Sequence, residues 1–283
     1  MIKITNILDK NSSITEILNP TDFPDGTKLI KFCPDNSNPI TITWLYDNDE
    51  ELFQLIALTQ HLKDRGIEVY LNTPYVPNAR MDRVKGNDEV FTLKYFANVI
   101  NWLGFKGVKI CNPHSTVSEA LFDRVIVDFD CVKEDVTNIL FGLNGVTGFN
   151  ANVLFFPDSG SLKRYGDMFK GLNIPFAYGE KNRDWKTGKI IGLDVISNGI
   201  DLNGKNVLII DDIISFGGSM YYSAIELHNR GVNNIDCYAT HVENSILNDE
   251  KGKLIKLDCV NKIYTTNSIF RGEHNKIEIV RSF

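Results

Sequence analysis

Several short signatures by which proteins hold nucleotides are missing from the sequence. No G-x-x-x-x-G-K-[ST] stretch occurs, which excludes a P-loop, and no G-x-G-x-x-G marks a dinucleotide turn. A G-x-S-x-G nucleophile elbow is absent as well. The five cysteines, Cys33, Cys111, Cys131, Cys237 and Cys259, include no C-x-x-C pair, so a zinc site is not expected. No apolar run approaches the length of a membrane span, and the opening residues Met1 to Asn6 lack a signal-peptide core. A cytoplasmic protein without a membrane partner is expected. Lysines and arginines number 30 against 36 acids, for a net charge of −6, and no long basic run is present. Duplex nucleic acid requires clustered cations to neutralise its phosphates, so no nucleic acid partner is expected.

What is present is an ordinary globular composition, 43% hydrophobic over 283 residues, enough for one large domain or two of usual size. Two halves show the same alternation of short apolar runs and helical stripes. Ile40 to Tyr46 reads as a strand. Asn48 is placed to cap a helix, with Glu51 closing a capping-box-like pair. Leu52, Leu55, Ile56 and Leu62 follow at helical spacing, and Gly66 ends the helix. A strand over 67–71, a helix marked by Leu93, Phe96, Ala97, Ile100 and Leu103, and a strand over 108–111 complete a β-α-β-α-β series. The second half repeats it with strands over 153–156, 175–178, 207–210 and 235–240 and helices over 162–172 and 219–230. The Gly- and Asn-containing stretch from Asp130 to Asn152 is the expected join. This predicts an α/β protein of two Rossmann-like domains, 1–138 and 139–283. Each has a mostly parallel sheet flanked by helices, and the last residues are expected to pack back on the first domain.

The segment from Val207 to Ser219 carries the densest chemistry. Four apolar residues read as a buried parallel strand and run into Asp211 and Asp212. Ser215, Phe216, Gly217, Gly218 and Ser219 form a turn that enters a helix. Ligands of open α/β sheets bind at the carboxyl ends of strands. A Gly-rich turn at a helix start offers N–H groups to phosphate, and paired carboxylates can grip sugar hydroxyls or a metal ion. The bland alternative is a solvated acidic turn. The order strand, acids, glycines, helix favours a site for a phosphorylated sugar.

This segment resembles the ribose-binding motif of type I phosphoribosyltransferases. The whole chain resembles the phosphoribosyl-pyrophosphate (PRPP) synthetase family, through motifs spread in family order from Phe23 to His241. Pro74-Tyr75-Val76-Pro77-Asn78-Ala79-Arg80-Met81-Asp82-Arg83 resembles the family's ATP-contacting P-Y-x-x-Y-A-R-Q-D-R, with Met81 in place of Gln. Two arginines past a strand end also suit a polyphosphate by guanidinium geometry. Asn112 to Asp123 resembles a divalent-cation segment that begins D-L-H. His114 keeps its place, while Asn112, Val117 and Ala120 replace Asp, Gln and Gly. Asp158 stands in a segment like the family's S-P-D-x-G-x-x-K/R-R, where it would hold magnesium; its plain role is a helix N-cap. Lys181 and Arg183 match the family's K-x-R pair on a mobile catalytic loop. Phe23-Pro24-Asp25-Gly26 is similar to F-x-[DN]-G-E, whose aromatic packs on adenine from a neighbouring subunit, and Thr27 replaces the Glu.

The resemblance implies transfer of the β,γ-diphosphate of Mg-ATP to the anomeric 1-hydroxyl of a 5-phosphorylated ribose, with release of AMP. Lys181 and Arg183 would be catalytic. Phe23, Asp25, Arg80, Asp82, Arg83 and His114 would bind ATP. Asp211, Asp212 and Ser215 to Ser219 would bind ribose and phosphate, and His114 and Asp158 would hold Mg2+. The resemblance implies a homo-oligomer: the adenine contact suggests at least a dimer, and the family's dimers build hexamers. The family's D-D-x-x-D-T-G-G-T loop is altered here, with Ser215 for the third Asp and Phe216 for the first Thr. Either ribose 5-phosphate remains the acceptor or the altered loop takes ADP-ribose, as in a diverged phage branch that serves NAD resynthesis. Two alternatives from other classes stay open: a phosphoribosyltransferase that consumes PRPP, and a non-catalytic partner of an active synthetase.

Overall fold

A computed structural model describes residues 1–9, 12–34, 38–183 and 190–283, with side chains left aside at 7–9, 12, 183, 190 and 191. The chain divides into two compact units, residues 1–129 with Phe283, and residues 130–282. Among the described residues no helix is long and apolar enough to cross a membrane.

The first unit runs β1 (Ile2–Asp9), β2 (Ser12–Ile17), β3 (Thr21–Asp22), β4 (Lys28–Leu29), β5 (Ile40–Trp44), α1 (Glu50–Lys63), β6 (Val69–Asn72), α2 (Thr92–Leu103), β7 (Val108–Cys111), α3 (Thr116–Leu121) and β8 (Val125–Asp128). Its main sheet has the order β2-β1-β5-β6-β7-β8 among the described residues. Strands β5 to β8 are parallel, and β1 is antiparallel to both neighbours. Ile40, Ile42, Leu71, Val108 and Ile110 face α1 and α2, which bury Leu55, Leu58, Ala97 and Ile100 against them. Gly104 ends α2 at φ +65°, a left-handed position that glycine takes without strain. Asn48 acts one residue earlier than a standard cap, its Oδ1 accepting the Glu50 N–H at 3.0 Å. Glu51 reaches back to the Asp47 N–H at 3.0 Å and also accepts from Trp44 Nε1 at 2.8 Å.

The second unit runs α4 (Asp130–Phe141), β9 (Val153–Phe156), α5 (Ser159–Tyr165), β10 (Phe176–Arg183), β11 (Ile190–Ile196), β12 (Asn206–Ile214), α6 (Gly218–Asn229), β13 (Asn234–Val242), β14 (Val260–Thr266) and β15 (Ile277–Arg281). The sheet order is β11-β10-β9-β12-β13-β14-β15, parallel except for the β10–β11 hairpin. One face packs on α6 through Val153, Phe155, Val207, Ile209, Cys237 and Ala239. On the other face Phe156 stacks on Tyr165 of α5, and Tyr238 donates to Asp135 of α4 at 2.9 Å. Burial on both faces explains the unbroken apolar run of β12.

The two units divide at 129/130, where the stretch expected as a join begins. That stretch opens with α4, which buries Cys131, Val132, Asp135, Val136, Ile139 and Leu140 at helical spacing. Two expectations are corrected. The helix expected over 162–172 is the shorter α5 followed by a single 3₁₀ turn at Lys170–Leu172. Lys181 and Arg183, expected on a mobile loop, belong to β10, which pairs with β11 from Tyr178↔Ile196 onward. Strand pairing satisfies the backbone there, so polar side chains can alternate along the hairpin.

Candidate active site

Strand β12 carries Asp211 and Asp212 inside its span rather than beyond its end, with both side chains buried. Asp211 Oδ1 accepts from the Ser161 hydroxyl at 2.9 Å and from the Asp212 N–H at 3.0 Å. Ser161 lies in α5, and its hydroxyl is also 3.2 Å from Asp158 Oδ1. One small hydroxyl therefore ties together the ends of β9 and β12. Asp158 caps α5 by accepting the Ser161 N–H at 2.9 Å, and its second oxygen takes the Lys181 ammonium at 2.6 Å. Asp158 thus keeps the plain capping role and adds an ion pair. Arg164 Nη1 stands 3.8 Å from Asp212. The Arg183 side chain lies outside the described residues.

Gly179 brings β10 close enough for this arrangement. A Cβ there would come within 2.8 Å of the Pro157 carbonyl oxygen and 2.7 Å of Leu193 Cδ1. The missing side chain lets Pro157–Asp158 approach the strand that delivers Lys181 two residues later.

The electrostatics follow from burial and neighbours. Burial first, then the adjacent Asp212 carboxyl, push Asp211 well above the usual carboxylate range. Burial would raise Asp158 too, but the hydrogen bonds from Lys181 and Ser161 outweigh it and hold the carboxyl below its ordinary value. Two carboxyls a few residues apart in space are thereby pushed in opposite directions. Asp158 stays anionic beside a cation, while Asp211 lies beside a second carboxyl.

Beyond β12, Ser215, Phe216, Gly217, Gly218 and Ser219 turn into α6. Gly217 has φ +84° and begins the helix, whose first N–H groups lack partners within the helix. A Cβ on Gly218 would meet nothing within 4 Å. Ser215 Oγ lies 3.2 Å from Ser245 Oγ, and Phe216 is 38% exposed. Asp158, Lys181, Asp211 and Asp212 are thus gathered at the strand ends, and the loop 215–219 continues directly from them. Ser161 and Arg164 join them without having been assigned as site residues. Arg164 closes the S-P-D-x-G-x-x-K/R-R motif, whereas Ser161 had no signal beyond its position one turn into the helix behind Asp158.

In the first unit the expected ATP-binding residues occupy three segments. Phe23 and Asp25 sit at the β3–β4 hairpin, where Asp25 accepts from the Thr27 N–H at 3.0 Å and the Thr27 hydroxyl at 2.7 Å. Those two bonds hold the Asp25 carboxyl below its usual value. Arg80, Asp82 and Arg83 follow β6, with Arg80 exposed and Arg83 Nε 3.3 Å from Asp82. His114 is half-buried after β7. The Asn112 expected as a substitute for a metal-binding Asp is fully buried at φ +42°, a backbone region that Asn tolerates, and its N–H donates to the Asp128 carbonyl at 3.1 Å.

Among the described residues no group of three His, Cys, Asp or Glu side chains is gathered to hold a metal ion. Asp158, held anionic, nevertheless offers a hard carboxylate oxygen. It suits Mg2+ when a substrate's phosphates supply the remaining oxygens.

Residues 128–273 match the model of the phosphoribosyl transferase domain. Over most of its length the chain is similar to ribose-phosphate pyrophosphokinases. It is 27% identical to that of Sulfolobus acidocaldarius over 91% of this chain and 86% of the relative. It is 25% identical to that of Saccharolobus solfataricus over 78% and 74%. The fold matches the crystal structure of phosphoribosylpyrophosphate synthetase from Mycobacterium smegmatis with a TM-score of 0.71. That match covers 94% of this chain and 86% of the other at 18% identity. Since the domain model covers more than half of the residues, including the whole Asp158–Ser219 site, this chain belongs to the phosphoribosyl transferase domain family.

Proposed function

We propose that the chain is a diphosphotransferase that moves the β,γ-diphosphate of ATP onto the anomeric 1-hydroxyl of a 5-phosphorylated ribose. The hydroxyl oxygen attacks the β-phosphorus. The bond from that phosphorus to the oxygen bridging it to the α-phosphate breaks, AMP leaves with the bridging oxygen, and the hydroxyl proton passes to solvent. The carrying observation is the buried Asp211–Asp212 pair, linked through Ser161 to the Asp158–Lys181 ion pair and continued by the Gly217–Gly218 turn. Likeness to ribose-phosphate pyrophosphokinases over both units supports ATP as co-substrate.

Asp211 and Asp212 orient the ribose hydroxyls. The turn from Ser215 to Ser219 takes the 5-phosphate on helix N–H groups. Lys181, with Arg183, stabilises charge on the transferring group, and such chemistry needs positioning and electrostatics rather than a covalent nucleophile. Mg2+, held by Asp158 and on the ATP side by His114, would neutralise phosphate charge. Phe23, Asp25, Arg80, Asp82 and Arg83 bind ATP in this reading. The exposed Phe23 ring, 47% accessible, suits contact with a second copy's nucleotide in a dimer or hexamer.

Ribose 5-phosphate is the acceptor that the relatives' names favour. The exposed Phe216 ring favours a second acceptor, ADP-ribose, whose adenine can stack on an aromatic. The test is incubation with Mg-ATP and either sugar, with AMP and the new product followed by HPLC–mass spectrometry. A diphosphorylated product from one acceptor names it, and absence of AMP release with both rejects the reading.

A further inference from the structure

The turn that receives the 5-phosphate is poor in positive charge. Its Ser215 hydroxyl is linked to Ser245, whose own hydroxyl donates to Glu243 Oε2 at 3.0 Å, so the acid behind the turn has the wrong sign for a phosphate. Phe216 brings no donor. The segment after β13, however, packs directly on the turn: a Cβ on Gly217 would fall 2.6 Å from Leu254 Cβ. That segment places Lys251 Nζ 5.4 Å from the centre of the Phe216 ring, and Lys253 Nζ 6.0 Å from the ring of Tyr221 in the first turns of α6. The backbone of Lys251 is pinned. Its N–H donates to Asn248 Oδ1 at 2.9 Å, its carbonyl accepts the Lys253 N–H at 2.8 Å, and the Gly252 N–H donates to the Asn248 carbonyl at 2.8 Å. Gly252 has no room for a side chain, since a Cβ would lie 2.0 Å from the Ile246 carbonyl oxygen.

We propose that Lys251 is a phosphate-binding, specificity-determining residue for the acceptor, held on the Phe216 ring until the 5-phosphate arrives. A cation on an exposed aromatic face is weakly held, whereas an ammonium on a phosphate oxygen makes a charge-assisted hydrogen bond. The lysine therefore leaves the ring at small cost, and it returns to the turn the charge that its side chains lack. Phe216 serves as the perch that keeps the ammonium beside the site. This deepens the acceptor side of the proposed function and rests on that reading for the place of the phosphate.

Calorimetric titration of the full chain with ribose 5-phosphate and with ribose, in wild type, K251Q and K251R, separates charge from shape. K251Q is expected to weaken ribose 5-phosphate about tenfold and leave ribose unchanged, while K251R restores most of the affinity. In turnover assays the same variant raises KM for the acceptor and leaves kcat and the KM for ATP within about twofold. Equal affinity of wild type and K251Q for ribose 5-phosphate overturns the proposal, as does a wild type that binds ribose 5-phosphate no better than ribose. If wild type binds ribose 5-phosphate through Lys251 but releases no AMP, the diphosphotransfer reading fails and the role of Lys251 stands.

Discussion

In the second unit Asp158, Ser161, Lys181 and Asp211 are joined by hydrogen bonds of 2.6 to 3.2 Å, and Lys181 is only 12% exposed. In the first unit the Arg83 side chain is 75% exposed, Phe23 stands out on a hairpin, and Arg80 lies on a loop. The second unit thus presents a buried, mutually bonded cluster, and the first presents exposed side chains. A finished cluster costs little to organise when substrate binds, so its interactions can be spent on the transition state. Exposed arginines must first be ordered, which offsets part of what they gain from phosphate. Changes in the Asp158–Lys181–Asp211 cluster should therefore lower kcat, and changes at the first unit's exposed arginines should raise the KM for ATP.

Lys181→Ala is expected to have the largest effect, a fall in kcat of about 100-fold, the usual scale for one lost charge-stabilising donor. Turnover within about tenfold of wild type would break the contrast between the units. Next come the buried acids that the reaction does not use. Asp135 and Asp236 are pushed up to about 6, each first by burial. A raised carboxyl binds its proton more tightly folded than unfolded, so stability falls as pH rises from about 4 to 6 and levels off above. Each is worth at most about 3 kcal/mol, read by urea denaturation at pH 4.5 and 7, and Asp236→Asn should flatten the slope. Gly179→Ala is expected to cost about 1–3 kcal/mol of stability, seen as a lower Tm, because the Pro157 carbonyl and Leu193 cannot both move aside. The mildest is Arg80→Ala, with about a tenfold higher KM for ATP and an unchanged Tm, as its exposure predicts. A lower Tm in this variant would blur the distinction between the two units.

Much of this arrangement is legible in the sequence. The strand and helix around Asp211 and Asp212 stood out because β12 is buried on both faces and a Gly-Gly turn follows it. Gly104 and Gly66 marked helix ends correctly, both at positive φ. The α4 helix was hidden because Asp135 occupies a core position of its stripe and the glycines behind it suggested a linker. Glu180, Lys181, Asn182 and Arg183 read as a loop because a hairpin of polar residues shows no apolar alternation. Ser161 could not be picked out, since its role depends on Asp211, which is brought beside it only by the pairing of β9 with β12.

That last dependence has a kinetic side. The hydrogen bond from Ser161 to Asp211 spans 50 residues of sequence. The parallel ladder beneath it joins Val207 to Val153, with the β10–β11 hairpin lying between them along the chain. Long-range parallel pairing closes late and slowly during folding, because chain entropy is lost before the contacts form. A refolding chain should therefore regain helical signal well before it regains affinity for a sugar phosphate, and binding competence becomes a clock for the final docking of β12 onto β9.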